Sequence, residues 1–177
     1  MTILIAFLIF LVIYVVVQYN SFTKKKLEVE QTRKAIDIYL KQRFDLIPNL
    51  VETVKGLKNH EQTVLENLAQ LRTKASGQNG MQEKANLNNE FNNILLTVEA
   101  YPELKSNEAF LNLQKQLSKM ESQLQASRRI YNMEVTSYNT KREKFPTNII
   151  AGVFGFGEEK LFEIGEEERQ NVSVKVD

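Results

Sequence analysis

The chain has 177 residues, of which 42% are hydrophobic and 25% charged, with a formal net charge of +1. That balance is too apolar for wholesale disorder, and it lacks the basic excess that a nucleic-acid partner requires. There is no cysteine, which excludes disulfides, thiol nucleophiles and cysteine metal sites, and only 3 prolines and 7 glycines punctuate the chain, so long uninterrupted elements are expected.

The first element is apolar. Ile3, Leu4, Ile5, Phe7, Leu8, Ile9, Phe10, Leu11, Val12, Ile13, Tyr14, Val15, Val16 and Val17 read as a membrane anchor, with the Tyr14 hydroxyl as the one polar group. With Met1 and Thr2 the run reaches about 17 residues, roughly 26 Å as a helix, slightly short of a hydrocarbon core of about 30 Å. Gln18 to Phe22 extend it into the interface, where Tyr14, Tyr19 and Phe22 suit the headgroup region. A cleaved signal peptide is the rival reading. It needs a basic region before the run and small residues at a cleavage site after it, and Val15 to Phe22 offers no such site. A buried core helix is the other rival, and an apolar surface all round argues against it. Lys24, Lys25 and Lys26 follow the span, and no charged side chain precedes it. The positive-inside rule then keeps the bulk of the chain in the cytoplasm and the N-terminus outside. The same three lysines are candidate headgroup contacts, at about 1 kcal/mol each.

The helical pattern continues from the anchor without a break to about Gln42, through a modest stripe of Leu27, Lys34 and Ile38 with neighbours Ala35, Ile36 and Leu40. Asp45 before Leu46-Ile47-Pro48 suits a cap, and proline is tolerated in a first turn. A new helix starting here is favoured over a proline kink in one long helix. That second helix is expected from Leu46 to Ala75, through Leu50, Val54, Leu57, Val64, Leu68 and Leu71, and Ser76 to Gly80 ends it. A third runs from Met81 to Ala100 through Leu87, Phe91, Ile94 and Val98, and Tyr101-Pro102 stops it.

Ser106 or Asn107 caps the fourth helix. Phe110, Leu113, Leu117, Met120, Leu124, Ser127, Tyr131, Glu134 or Val135, and Tyr138 step through it by threes and fours, close to a coiled-coil-like heptad seam. It extends to about Phe145, roughly 58 Å, against about 30 Å for the third helix. The excess seam must therefore meet the first two helices or another subunit. Beyond Pro146 the stretch to Gly157 is apolar and glycine-rich, and reads as a hydrophobic loop that packs back on the bundle, or alternatively contacts the membrane or a partner. Glu158 to Asp177 is an acidic tail ending in an alternation of Val172, Val174 and Val176.

Little chemistry is visible. His60-Glu61 opens like a zinc-protease helix, but Val64 stands where the second histidine belongs. No nucleophile elbow, phosphate loop or calcium loop is present, and the Glu166-Glu167-Glu168 run reads as a solvated tail. Arg128-Arg129 beside the seam suits salt bridges along a bundle, or phosphate. No cofactor or metal is expected.

Several segments together resemble the LemA family: Arg43-Phe44-Asp45-Leu46-Ile47-Pro48-Asn49-Leu50-Val51, Tyr101-Pro102-Glu103-Leu104-Lys105-Ser106-Asn107, Arg128-Arg129-Ile130-Tyr131-Asn132, Tyr138-Asn139 and Phe145-Pro146-Thr147-Asn148-Ile149-Ile150-Ala151, with Phe154-Gly155-Phe156 and Phe162-Glu163. The resemblance implies a bacterial inner-membrane protein with a helical soluble part and no established enzymatic activity. It also implies a possible membrane partner, a metalloprotease of the HtpX type. Two features depart from the family pattern: the chain has no tryptophan, and its end reads Val174-Lys175-Val176-Asp177.

The expected architecture is all-α: a transmembrane anchor over residues 1–22, an elongated antiparallel four-helix bundle with one much longer C-terminal helix and the apolar glycine-rich loop over 23–163, and a mobile acidic tail over 164–177. The expected function is a membrane-anchored scaffold, homo-oligomeric or bound to a membrane partner. Its interface candidates are Ile149, Ile150, Val153, Phe154, Phe156, Arg128 and Arg129. The alternatives are a hydrolase using His60 and Glu61 or other carboxylates, and an exported helical protein.

Overall fold

The computed structural model describes residues 1–55, 62–75, 81–99 and 101–162. Seven helices account for most of them, and no strand occurs among the described residues: α1 (Thr2–Phe44), α2 (Ile47–Lys55), α3 (Gln62–Ala75), α4 (Met81–Glu99), α5 (Pro102–Lys105), α6 (Glu108–Glu143) and α7 (Thr147–Val153). The apolar run and the first polar helix are one element, since nothing between Thr2 and Phe44 breaks the pattern. Asp45 and Leu46 form a turn, and Pro48 lies in the first turn of α2, where its missing N–H is not needed. Pro48 therefore opens a helix. Leu46, rather than Asp45, immediately precedes its first residue. Asn107 caps α6: its Oδ1 accepts the backbone N–H of Phe110 at 3.1 Å. The predicted second helix appears as α2 and α3, and His60, Glu61 and Gly56 lie outside the described residues.

The chain divides into two compact units, and α1 and α6 contribute to both. One comprises residues 36–126, as far as they are described. Here α2 packs on α3 and α3 on α4, around a core that includes Ile47, Leu50, Leu68, Leu71, Phe91, Val98, Phe110 and Leu117. These are the three- and four-residue stripes expected of amphipathic helices. From α1 this unit buries Ile36 and Leu40. Ile38 is exposed, because two residues on a helix rotate it about 200° from Ile36.

The other unit comprises residues 1–35 and 127–162 among the described residues. The end of α6 runs antiparallel to α1: Lys25 meets Ser137, Phe22 meets Tyr138, and Tyr14 lies near Lys144 and Phe145. Phe22, Val29, Tyr131, Val135 and Tyr138 form the core. The predicted seam of α6 is thus buried within a single chain along this stretch, against α1. Its length therefore gives no reason of its own to invoke another subunit.

The apolar segment after Pro146 differs from the expected loop. Thr147–Val153 is helical, with Ile150 and Ala151 buried. The helix ends in a Schellman turn. The N–H of Phe156 reaches the carbonyl of Ala151 at 2.9 Å, the N–H of Gly155 faces the carbonyl of Gly152 at 3.4 Å, and Gly155 has φ +70°. Only glycine enters that left-handed conformation without steric cost, so the glycines that suggested a loop mark a helix end.

Candidate functional site

The apolar half of α1 is exposed all round: Ile3, Leu4, Ile5, Phe7, Leu8, Ile9, Phe10, Leu11, Val12, Ile13, Val16 and Val17 have no protein cover, and only Tyr14 and Val15 are partly screened. It is the one described helix long and apolar enough to cross a membrane. Phe22, expected among headgroups, is instead 0% exposed. It stacks on Phe156 at 4.9 Å and meets Tyr138 edge-on at 6.2 Å. Tyr19 stays exposed and contacts Phe154 at 5.1 Å and Phe156 at 5.6 Å. These rings tie α7 and the turn after it to α1 just past the apolar run. Around that junction Phe145, Ile149, Val153 and Phe154 are exposed, Phe145 at 80% and Val153 at 74%. Of the interface candidates, Ile150 is buried and Phe156 half-buried.

The lysine triplet splits three ways, as successive residues on a helix must. Lys24 pairs loosely with Glu28 at 3.9 Å, and Lys26 lines a small cleft with Glu30 and Arg33. Lys25 turns to α6, donating to Ser137 Oγ at 2.6 Å. Arg128 is half-buried with its guanidinium 4.7 Å from the centre of the Phe162 ring, and Arg129 is exposed. The pair therefore does not act as one cationic patch.

Two polar assemblies were not legible as sites. The first clamps an extended strap, residues 156–162, along α6. Asn139 donates to the carbonyl of Glu159 at 2.8 Å and accepts its N–H at 3.1 Å; Asn132 does the same to Phe162, at 3.0 and 2.8 Å. Tyr138 donates to the Gly157 carbonyl at 2.8 Å, Tyr131 to that of Lys160 at 2.9 Å, and Arg142 to that of Phe156 at 3.1 Å. The geometry explains the register. Seven helical residues rise about 10.5 Å and three extended residues span about 10 Å, so a Tyr-Asn pair repeated at seven meets a strap read at intervals of three. Burial, and then the nearby Glu159 carboxylate, raise both phenols above the ordinary tyrosine value. The signal in the sequence was the repeat of Tyr131-Asn132 at Tyr138-Asn139.

The second assembly is Arg43, 2% exposed. One guanidinium nitrogen donates to Asn88 and Glu121, the other to Asn92, and the group lies 5.1 Å from the centre of the Phe91 ring. Asn88 and Asn92 are four apart on α4 and so share a face with Phe91 between them. A cleft of about 620 Å³ in the same unit is lined by Asp37, Lys41, Asp45, Arg72 and Lys84, with Lys84 already 2.7 Å from Asp37. Its mixed signs select no ligand charge.

The sequence profile of the LemA family matches residues 32–176. The chain belongs to the LemA family. Among relatives of this LemA-family chain is the protein LemA of Metamycoplasma hominis, 26% identical over 160 residues, covering 88% of this chain and 73% of that protein. Magnetosome proteins MamQ 1 and MamQ 2 of Paramagnetospirillum magneticum are each 20% identical over 176 residues, covering 82% of this chain. The chain spans 65% of their length, slightly under two thirds. The matched region holds the Arg43 cluster and the strap clamps, which are thus parts of the LemA domain. The apolar half of α1 precedes it, and its reading rests on its own chemistry.

Proposed function

We propose that this LemA-family chain is a single-span, membrane-anchored interaction protein of the bacterial inner membrane, with its N-terminus outside and its helical domain in the cytoplasm. The observation that carries this reading is the exposed apolar cylinder from Ile3 to Val17. An apolar surface of that size, uncovered in water, would drive association, and a bilayer covers it at no such cost. The helix runs on from it to Phe44 without a break. Lys24, Lys25 and Lys26 on the cytoplasmic flank set the orientation. A membrane setting agrees with the relationship to proteins named for the magnetosome.

In this reading Ile149, Val153, Phe154 and Phe145 rest in the lipid interface beside the span, as exposed apolar groups tied to Tyr19. The domain carries an interaction role without catalysis, and its partner is a second copy or another membrane protein. The His60-Glu61 alternative lies outside the described residues. Alkaline carbonate extraction of native membranes, with protease digestion of intact and opened spheroplasts, tests the anchor and its orientation. Full-length protein retained in the pellet, and digested only after opening, is expected. Release of intact protein, or a mature form beginning near residue 20, would overturn the reading in favour of an exported or peripheral protein.

A further inference from the structure

Where α6 ends against α1, a cleft of about 510 Å³ opens beside Tyr14. Lys25, Lys141 and Lys144 line it, with Ser137, Thr140 and Phe145. No carboxylate lines it among the described residues, and none of the three lysines takes part in an ion pair there. The two helices run antiparallel, and side chains on a helix lean toward its own N-terminus. Lys25 therefore leans toward Tyr14, while Lys141 and Lys144 lean the opposite way, toward Lys25. Lys141 also lies 4.8 Å from the centre of the Phe22 ring. Burial, and then the charge on Lys25, hold Lys141 below the ordinary lysine range. Bringing these cations together without an acidic partner favours an anion between them.

The cleft's other wall places that anion. Tyr14 belongs to the apolar run, three residues before its end at Val17, and Phe145 projects beside it into open space. An occupant thus meets cations and hydroxyls at one end and apolar surface at the other. A soluble anion would use only the first.

We propose that this cleft binds one anionic phospholipid, its phosphate held between Lys25, Lys141 and Lys144 and its acyl chains laid along Tyr14 and Phe145. The proposal rests on the anchor reading above, and it assigns to α6 two of the three cations that a count of juxtamembrane lysines gives to Lys24, Lys25 and Lys26 alone.

The test uses the full chain in mild detergent, with native mass spectrometry to count retained phosphatidylglycerol against phosphatidylcholine. Each lysine near an anionic surface contributes roughly fivefold, so the triple variant Lys25→Gln, Lys141→Gln, Lys144→Gln should lose about a hundredfold of the preference for phosphatidylglycerol. The double variant Lys24→Gln, Lys26→Gln, on the same helix but outside the cleft, should keep most of it. An equal loss in both variants would mean diffuse surface charge and overturn the site. Displacement of the lipid by inorganic phosphate alone would show that the apolar wall plays no part, and would also overturn it. If the triple variant loses helicity, the exposed Lys144→Gln variant carries the comparison, with about a fivefold loss expected. Protein that resists carbonate extraction yet shows no lipid preference refutes the cleft and leaves the anchor; protein that carbonate releases refutes the anchor itself.

Discussion

Replacing Asn139 with alanine should release the middle of the strap while the domain stays folded. The amide makes two hydrogen bonds to one residue, donating to the Glu159 carbonyl and accepting the Glu159 N–H. A neutral hydrogen bond contributes about 1 kcal/mol net, so the pair is worth about 2 kcal/mol, and somewhat less if water reaches the freed groups. That corresponds to a rise of roughly thirtyfold in the population of the locally open state. Hydrogen exchange of the full chain, read at single-amide resolution, reports it directly. Asn139→Ala should deprotect the Glu159 amide most, and Asn132→Ala the Phe162 amide most. Amides of α3 and α4 should keep their protection in both variants. Asn139→Asp is a useful intermediate, since it keeps the acceptor for the Glu159 N–H but loses the donor to the carbonyl. If exchange at Glu159 rose less than about threefold in Asn139→Ala, within the scatter of single hydrogen-bond energies, the clamp would not be what holds the strap. An equal rise across both units would also refute the reasoning, because it would report global destabilisation.

Arg43→Ala removes the cation from among Asn88, Asn92 and Glu121 and should destabilise the domain by about 3 kcal/mol, at the lower end for a broken buried pair because Glu121 keeps 25% exposure. Urea unfolding followed by circular dichroism measures it, and a loss under about 1 kcal/mol would contradict the role given to the cluster. Arg43→Lys should recover little, since an ammonium cannot present two separate nitrogens to three partners in one plane. Gly155→Ala should cost about 1 kcal/mol, because alanine meets open space there but enters a left-handed backbone conformation; the same denaturation series checks it. Tyr131 and Tyr138 have their phenol pKa raised by folding, so the stability they contribute is complete below the ordinary value of 10.0 and is lost as pH climbs through their higher folded values. An alkaline absorbance titration should show Tyr131 and Tyr138 ionising above 10.0, and Tyr138→Phe should reduce that late fraction.

The sequence by itself determined the elements whose cause is local. An unbroken apolar run needs no partner to be read as a membrane-spanning length, and Asn107 and Pro48 mark helix starts, and Pro102 the end of α4, through backbone chemistry confined to one turn. The α6 stripe from Phe110 to Tyr138 was legible for the same reason, since periodicity is a property of one helix. Tertiary structure decided what covers each stripe. Phe22 reads as an interfacial ring in the sequence, which does not show that Phe156 and Tyr138 arrive to bury it. The excess length of α6 left its seam to the first two helices or to another subunit, and along residues 131–145 it is α1 that lies against it. Arg43 was visible only as part of a family motif, because its partners lie on α4 and α6, 45 to 78 residues away. The strap clamp was half legible: Tyr131-Asn132 and Tyr138-Asn139 stand among the family segments, but their meaning depends on an extended segment whose rise per residue matches the helix only when the two lie side by side. Helix identity follows from neighbours in the chain, whereas burial, pairing and the cationic cleft beside Tyr14 follow from neighbours in space.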